Sequence, residues 1–237
     1  MQYRVSRVLA GPILHVLWRP TITGSDNVPA RGGAILASNH LSIIDSFFLP
    51  LMLDRPVTFA AKSEYFTGTR LVDRAAALYL RRTNQLAVDR SSTRAARGML
   101  EAALDLLRRG ELFGIYPEGT RSPDGKLYRG RTGVGWLALT SGLPVIPIAM
   151  IGTDHVLPPG RVTPRLGLIE VRVGKPMTFE QHGGMGAPAK ARRAVADDVM
   201  RAIGELSGQE VAPIYASTRK EQLAAAKRRM ARGAAGA

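Results

Sequence analysis

Short apolar runs recur along this chain with helical patterns between them, and that alternation fixes the class of fold open to it. Residues 34–37, 57–61, 86–88, 112–116 and 145–150 each read as a buried strand, and 168–173 alternates as a late one. Between and after them, residues 44–53, 91–109, 133–141 and 188–206 read as helices, 91–109 with a clear amphipathic period. Strand followed by helix, repeated, predicts an α/β fold with a largely parallel central sheet flanked by helices. Pro147 lies inside one run and cannot donate to a ladder, so that strand is expected at an edge or at a bulge. Residues 21–33 read as a polar, turn-rich segment and 64–82 as an irregular helix.

At 237 residues the chain can bury one substantial core, so a single body is expected over 21–210. Residues 1–20 are set apart by Val5, Val8, Leu9, Ile13, Leu14, Leu17 and Trp18 interleaved with Arg4, Arg7 and Arg19. That mixture reads either as an amphipathic, membrane-associating helix or as a helix packed on the chain's own core. Residues 211–237 carry Arg219, Lys220, Lys227, Arg228, Arg229 and Arg232 against Glu221, and are expected to form a basic, flexible tail without tertiary structure.

Cysteine is absent, which removes disulfides, thiolate metal sites and a cysteine nucleophile together. The four histidines show no metal-ligand spacing, so no metal is expected. A formal charge of +14 points to a polyanionic partner: nucleic acid, an anionic lipid surface or a phosphorylated substrate. Nucleic-acid signatures are missing and aromatics make up only 6%, which argues against the first. No apolar run is long enough to span a bilayer and no cleavage site follows the N-terminus. The expected location is the cytoplasmic face of a membrane, held peripherally.

Chemistry gathers at the ends of the predicted strands. His40 follows the 34–37 run, and Asp45 opens the next helix five positions later. Five residues on a continuous helix rotate a side chain by roughly 500°, leaving the pair about 140° apart. The two can meet only if His40 sits in the turn and Asp45 in the first helical turn, and they would then form a general base with its orienting carboxylate. The same spacing also reads as a capping box between Ser42 and Asp45. Arg90 follows the 86–88 run, Glu118, Gly119, Thr120 and Arg121 follow 112–116, and Lys62 ends 57–61. In open parallel sheets the carboxyl ends of strands hold the ligand, and arginines there offer forked donors to phosphate.

His40 with Asp45, then Val88, Asp89 and Arg90, then Glu118 to Arg121, then Leu143, Pro144, Val145, Ile146 and Pro147, resemble the four ordered motifs of the glycerolipid acyltransferases. The 1-acylglycerol-3-phosphate acyltransferases are the most similar group, over about residues 20–180. The resemblance implies that residues 21–210 form a catalytic domain of the glycerol-3-phosphate acyltransferase kind. In it His40 would deprotonate the sn-2 hydroxyl of a lysophospholipid acceptor, held by Asp45. Arg90, Glu118, Gly119, Thr120 and Arg121 would form the acceptor-phosphate site. Val145, Ile146 and Pro147 would shape the acyl-donor side, and the donor would be acyl-CoA or acyl carrier protein as co-substrate with no further cofactor. Lys62 is the candidate for stabilising the developing oxyanion; otherwise it is a solvated strand-end lysine. The second motif lacks the glycine of many relatives, and after the third the chain reads Tyr128-Arg129-Gly130-Arg131-Thr132-Gly133. Alternatives are glycerol 3-phosphate or another lysolipid or envelope lipid as acceptor, or a non-catalytic lipid-binding protein. Six lysines against 27 arginines are consistent with a bacterial source.

Overall fold

The computed structural model describes residues 16–62, 85–88, 93–182 and 186–235. In chain order the strands are β1 (Thr21–Thr23), β2 (Ala34–Ser38), β3 (Val57–Lys62), β4 (Leu86–Val88), β5 (Leu112–Ile115), β6 (Leu127–Tyr128), β7 (Val145–Ile151), β8 (Glu170–Val173) and β9 (Val211–Ala212). The helices are α1 (Asp45–Met52), α2 (Thr93–Arg108), α3 (Gly133–Ser141), α4 (Thr153–Val156), α5 (Ala189–Ser207) and α6 (Ala216–Ala235). Seven strands form one sheet in the order β1-β8-β7-β2-β5-β3-β4, and β6 with β9 forms a separate pair.

Every neighbouring pair in the large sheet is parallel except β7 with β8. The near-continuous apolar run of β2 follows from its central place, since both of its faces are covered. Ile35 and Ala37 point to a core shared with Ala103 and Leu107 of α2, Leu137 of α3 and Val199 of α5. Ala34 and Leu36 point the other way, to Phe48 and Leu49 of α1 and Val171 of β8. This is the two-residue alternation of a strand serving two cores at once. Helix α2 keeps its polar face outward, and Gly110, with φ of 79°, takes the left-handed turn just beyond it.

The predicted strands and helices within the described residues are present, and the α/β class holds. Residues 64–82 lie outside them, as do 1–15 of the N-terminal segment; residues 16–18 are helical. Two expectations are refined. Residues 21–23, read as part of a polar turn segment, add an edge strand parallel to β8. Pro147 sits in an interior strand, opposite Ala37, at a bulge. Val145 faces Met177 and Ile148 faces Val173, so the β8 side holds one extra residue there, and Gly174 N–H donates to the Pro147 carbonyl at 2.8 Å.

The C-terminal expectation is corrected. Residues 216–235 form helix α6, and its first turns are docked against the body. Ala216 is fully buried, Arg219 Nε donates to Asp124 at 3.1 Å, and Lys220 Nζ donates to Thr120 at 2.5 Å. Cation-rich composition hid this because only a few residues make the anchor, while Lys227, Arg228, Arg229 and Arg232 remain exposed.

Candidate active site

Parallel pairing brings the carboxyl ends of β2, β5 and β7 to one edge, and the chemistry-bearing residues follow those ends. Asp45 is the first residue of α1 and His40 lies in the preceding turn, which is the arrangement the spacing required. His40 Nδ1 and Asp45 Oδ2 are 2.8 Å apart, and the same oxygen accepts the Leu41 and Ser42 N–H groups at 2.8 and 2.9 Å. The two readings of the spacing therefore meet on one atom. Asp45 does return to the Ser42 N–H as a capping box demands, but the Ser42 hydroxyl donates instead to the Leu157 carbonyl at 2.7 Å.

Asp45 is completely buried, and its carboxylate can only accept, so the Nδ1 proton stays on the imidazole and Nε2 carries the basic lone pair. The His40 ring stacks on Tyr116, with centroids 3.9 Å apart and planes 10° from parallel. The Tyr116 hydroxyl is fixed by Ser46 Oγ at 2.9 Å, and Phe59 stacks at 5.1 Å. The imidazole is thus locked by an aromatic neighbour on one face and a carboxylate at one edge.

Glu118, which the resemblance placed in the acceptor-phosphate site, turns its carboxylate inward. Its side chain is buried, one oxygen accepts the His40 N–H at 3.1 Å and the other the Tyr128 N–H at 2.9 Å. Ser122 N–H donates to the His40 carbonyl at 2.7 Å, so the 118–122 loop grips the histidine's backbone from both sides. Glu118 is a positioning residue. Burial pushes its pKa up to about 7, offset by the Tyr128 and His40 N–H groups, raised further by Asp45 and lowered by Lys220.

A carboxylate whose folded pKa lies above its unfolded value stabilises the fold below about 4.5, and that contribution is lost as pH rises through about 7. The expected slope is worth up to roughly 3 kcal/mol between those limits. Chemical denaturation at pH 5, 6, 7 and 8 should show stability falling across the window, and Glu118→Gln should flatten the fall. An unchanged slope in the variant would assign the titration to another group.

The rest of the loop forms a cationic corner. Gly119 has φ of 73°, and a Cβ there would stand 2.9 Å from Arg131 Nε, so only glycine suits the position. Its N–H donates to the Tyr116 carbonyl at 3.0 Å within the turn. Thr120 receives Lys220, and Arg121 is half-buried beside it. Burial, then the charge of Arg121, lowers the Lys220 pKa, and Glu118 partly restores it. Arg129 and Arg131 lie over the Tyr215 ring at 5.8 and 5.4 Å, immediately before α6. Two cations held together beside the carboxyl ends of the strands favour an anion between them.

The remaining assignments divide. Lys62 ends β3, with its backbone opposite Val88, and Arg90 lies outside the described residues. Val145 and Ile146 have no exposed surface and belong to opposite cores, so with buried Pro147 they act as sheet scaffold. In α1, Phe48 and Leu49 are core as well, as is Leu53 just beyond it, leaving Phe47, Leu51 and Met52 partly open. Sequence reasoning missed the roles of Tyr116, Asn39 and Lys220. Asn39 accepts the Met150 N–H at 2.7 Å and donates to the Met150 carbonyl and Gln209 Oε1 at 2.9 and 2.7 Å, pinning the end of β2 to β7. Its signal was the polar residue beside the histidine, and Tyr116 stood at a strand end. Lys220 carried no local signal.

A family model described as Acyltransferase matches residues 19–151. A 1-acyl-sn-glycerol-3-phosphate acyltransferase of Pseudomonas aeruginosa is 31% identical over 197 residues, covering 81% of this chain and 70% of that protein. One of Chlamydomonas reinhardtii is 28% identical over 200 residues, 84% of this chain and 58% of its own length. The crystal structure of the 1-acyl-sn-glycerophosphate acyltransferase PlsC of Thermotoga maritima superposes with a TM-score of 0.64 at 28% identity, covering 86% of this chain and 79% of that one. Against several plant relatives the chain spans somewhat under half of their length. With a matched model running through both the His40–Asp45 pair and the 118–121 loop, and a relative aligned over most of both chains, this chain belongs to the acyltransferase family.

Proposed function

We propose that the protein transfers an acyl group from acyl-CoA or acyl carrier protein to the sn-2 hydroxyl of 1-acylglycerol 3-phosphate, forming phosphatidic acid. The observation that carries this reading is the His40–Asp45 pair, its carboxylate buried, beside the Arg121–Lys220 corner. The named activity of the relatives supports the same acceptor. His40 Nε2 takes the hydroxyl proton as the oxygen attacks the thioester carbonyl, and Asp45 stabilises the imidazolium. Collapse of the tetrahedral intermediate breaks the C–S bond, and the imidazolium returns the proton to the departing thiolate.

No acyl-enzyme step is involved. Three hydroxyls around the turn are committed elsewhere: Ser38 donates to the Asn39 carbonyl at 3.0 Å, Ser42 to that of Leu157, and Ser46 pairs with Tyr116, whereas the Ser122 hydroxyl is buried without a hydrogen-bond partner among the described residues. Arg121 and Lys220 grip the acceptor phosphate, Arg90 assists, and Lys62 stabilises the oxyanion. The acceptor is a bilayer lipid, so the enzyme works peripherally at the cytoplasmic face of a membrane. Among the described residues no helix is long and apolar enough to cross one. The exposed cations of α6 add attraction to anionic lipid.

Thiol release is measured with acyl-CoA and a panel of lysophosphatidate, glycerol 3-phosphate and phosphate-free monoacylglycerol. Wild type is expected to prefer lysophosphatidate. Arg121→Ala and Lys220→Met should each lose about 1.5–3 kcal/mol on it, roughly ten- to 150-fold in kcat/KM, and little on monoacylglycerol. Equal losses on both acceptors would remove the phosphate from this corner, and an inactive wild type would refute the activity.

A further inference from the structure

Five of the seven large apolar side chains exposed among the described residues fall in two stretches that touch each other. Val16 and Leu17 are 77% and 40% exposed, and Val162, Leu166 and Leu168 are 92%, 76% and 76% exposed. The stretches are stitched together by the Trp18 indole N–H, which donates to the Arg165 carbonyl at 2.7 Å. Neither belongs to the site described above, yet both are tied to it. Trp18 packs edge-on against Phe48 of α1 at 5.9 Å, and the Leu157 carbonyl that opens the second stretch accepts the Ser42 hydroxyl.

Residues 157–169 contain two exposed arginines, Arg161 and Arg165, and no carboxylate, and exposed Arg19 follows Trp18. Buried Leu157 and Ile169 anchor the segment at its two ends. Between them, Arg161 N–H donates to the Pro158 carbonyl at 3.1 Å and Arg165 N–H to that of Val156 at 2.8 Å. Pro158, Pro159 and Pro164 further restrict it, so presenting these side chains costs little chain entropy. A clustered apolar patch ringed by cations is unfavourable in water and suited to the headgroup boundary of an anionic bilayer. Tryptophan prefers the same depth, and arginine reaches lipid phosphate from it.

We infer that residues 158–168, together with residues 16–19, form a docking surface that inserts into the anionic bilayer boundary and brings the His40 turn to the lipid. The inference rests on the acceptor being a membrane lipid. A cytosolic acceptor would need no such surface, whereas a lysolipid must pass its hydroxyl from the bilayer to His40 without leaving it.

The test is sedimentation of the full chain with phosphatidylcholine vesicles, with and without phosphatidylglycerol. Wild type is compared with the triple variant Val162→Ser, Leu166→Ser, Leu168→Ser, whose exposed positions leave the core untouched. The variant should keep the wild-type melting temperature and wild-type turnover on a short-chain lysophosphatidate dispersed as monomers. Its partitioning to anionic vesicles should fall about tenfold or more, with a matching loss of turnover on vesicle-borne acceptor. Wild-type partitioning by the variant would overturn the inference. So would unaltered partitioning with a change from dimer to monomer, which would make the patch a contact between copies. A wild type that sediments with anionic vesicles but acylates nothing would refute the enzymatic reading and leave the surface standing.

Discussion

Replacing His40 with alanine is expected to lower turnover by about 10²–10⁴-fold or more while the protein still folds. The loss follows from removing the group that the proposed mechanism makes the base for the acceptor hydroxyl. The fold survives because the turn is not held by the imidazole. Asp45 Oδ2 keeps its Leu41 and Ser42 N–H donors, and the residue-40 backbone keeps its bonds to Glu118 and Ser122. What disappears is the Nδ1–Asp45 hydrogen bond and the stack on Tyr116, the latter worth about 1 kcal/mol. Thiol release from acyl-CoA with lysophosphatidate, beside a melting curve, measures both. Near-normal turnover would exclude the base mechanism.

The second large effect is at Asp45 and depends on the replacement. Asp45→Ala strips the acceptor from two buried backbone N–H groups and from the imidazole, in a place with no exposure. Each stranded donor costs about 1–3 kcal/mol, so a large part of a total of about 5–15 kcal/mol is at risk. Asp45→Asn behaves differently. Its amide oxygen can stand where Oδ2 stands and keep the three donors, while the NH₂ group takes the site of Oδ1, which has no hydrogen-bond partner among the described residues. The asparagine variant should therefore fold, and lose turnover because a neutral amide does not stabilise the imidazolium. Its loss should be smaller than that of His40→Ala. Denaturation midpoints and turnover of the two variants, measured side by side, separate the roles. Equal destabilisation by both would mean that Oδ1 carries a bond the geometry does not reveal.

The dyad was legible because it is local. A strand end, a short turn and a first helical turn are all written within a dozen residues, and the five-residue spacing admits only one way for the side chains to meet. The placement of the 118–121 loop at a neighbouring strand end was legible for a similar reason, since the alternation of runs predicts a parallel sheet. Its division of labour was not. That Glu118 faces inward depends on backbone donors 78 and 10 residues away, and nothing in its neighbours announces burial. Lys220 meets Thr120 across 100 residues, from a segment whose composition reads as solvated. Pro147 was legible as a disturbance and not as an interior one, because pairing partners belong to topology rather than to a strand's own sequence.

The central place of β2 has a consequence for how the chain is made. Among the described strands it is the second to be synthesised, yet its two partners, β5 and β7, end only at residues 115 and 151. At a translation rate of about 5–20 residues per second, its second edge waits on the order of 5–20 s for a neighbour. During that interval an almost wholly apolar strand has an open flank, the condition under which strands pair with the wrong chain. Most of the sheet's interior is therefore completed late and nearly together, and the His40 turn, though written early in the message, acquires its surroundings only when that closure occurs.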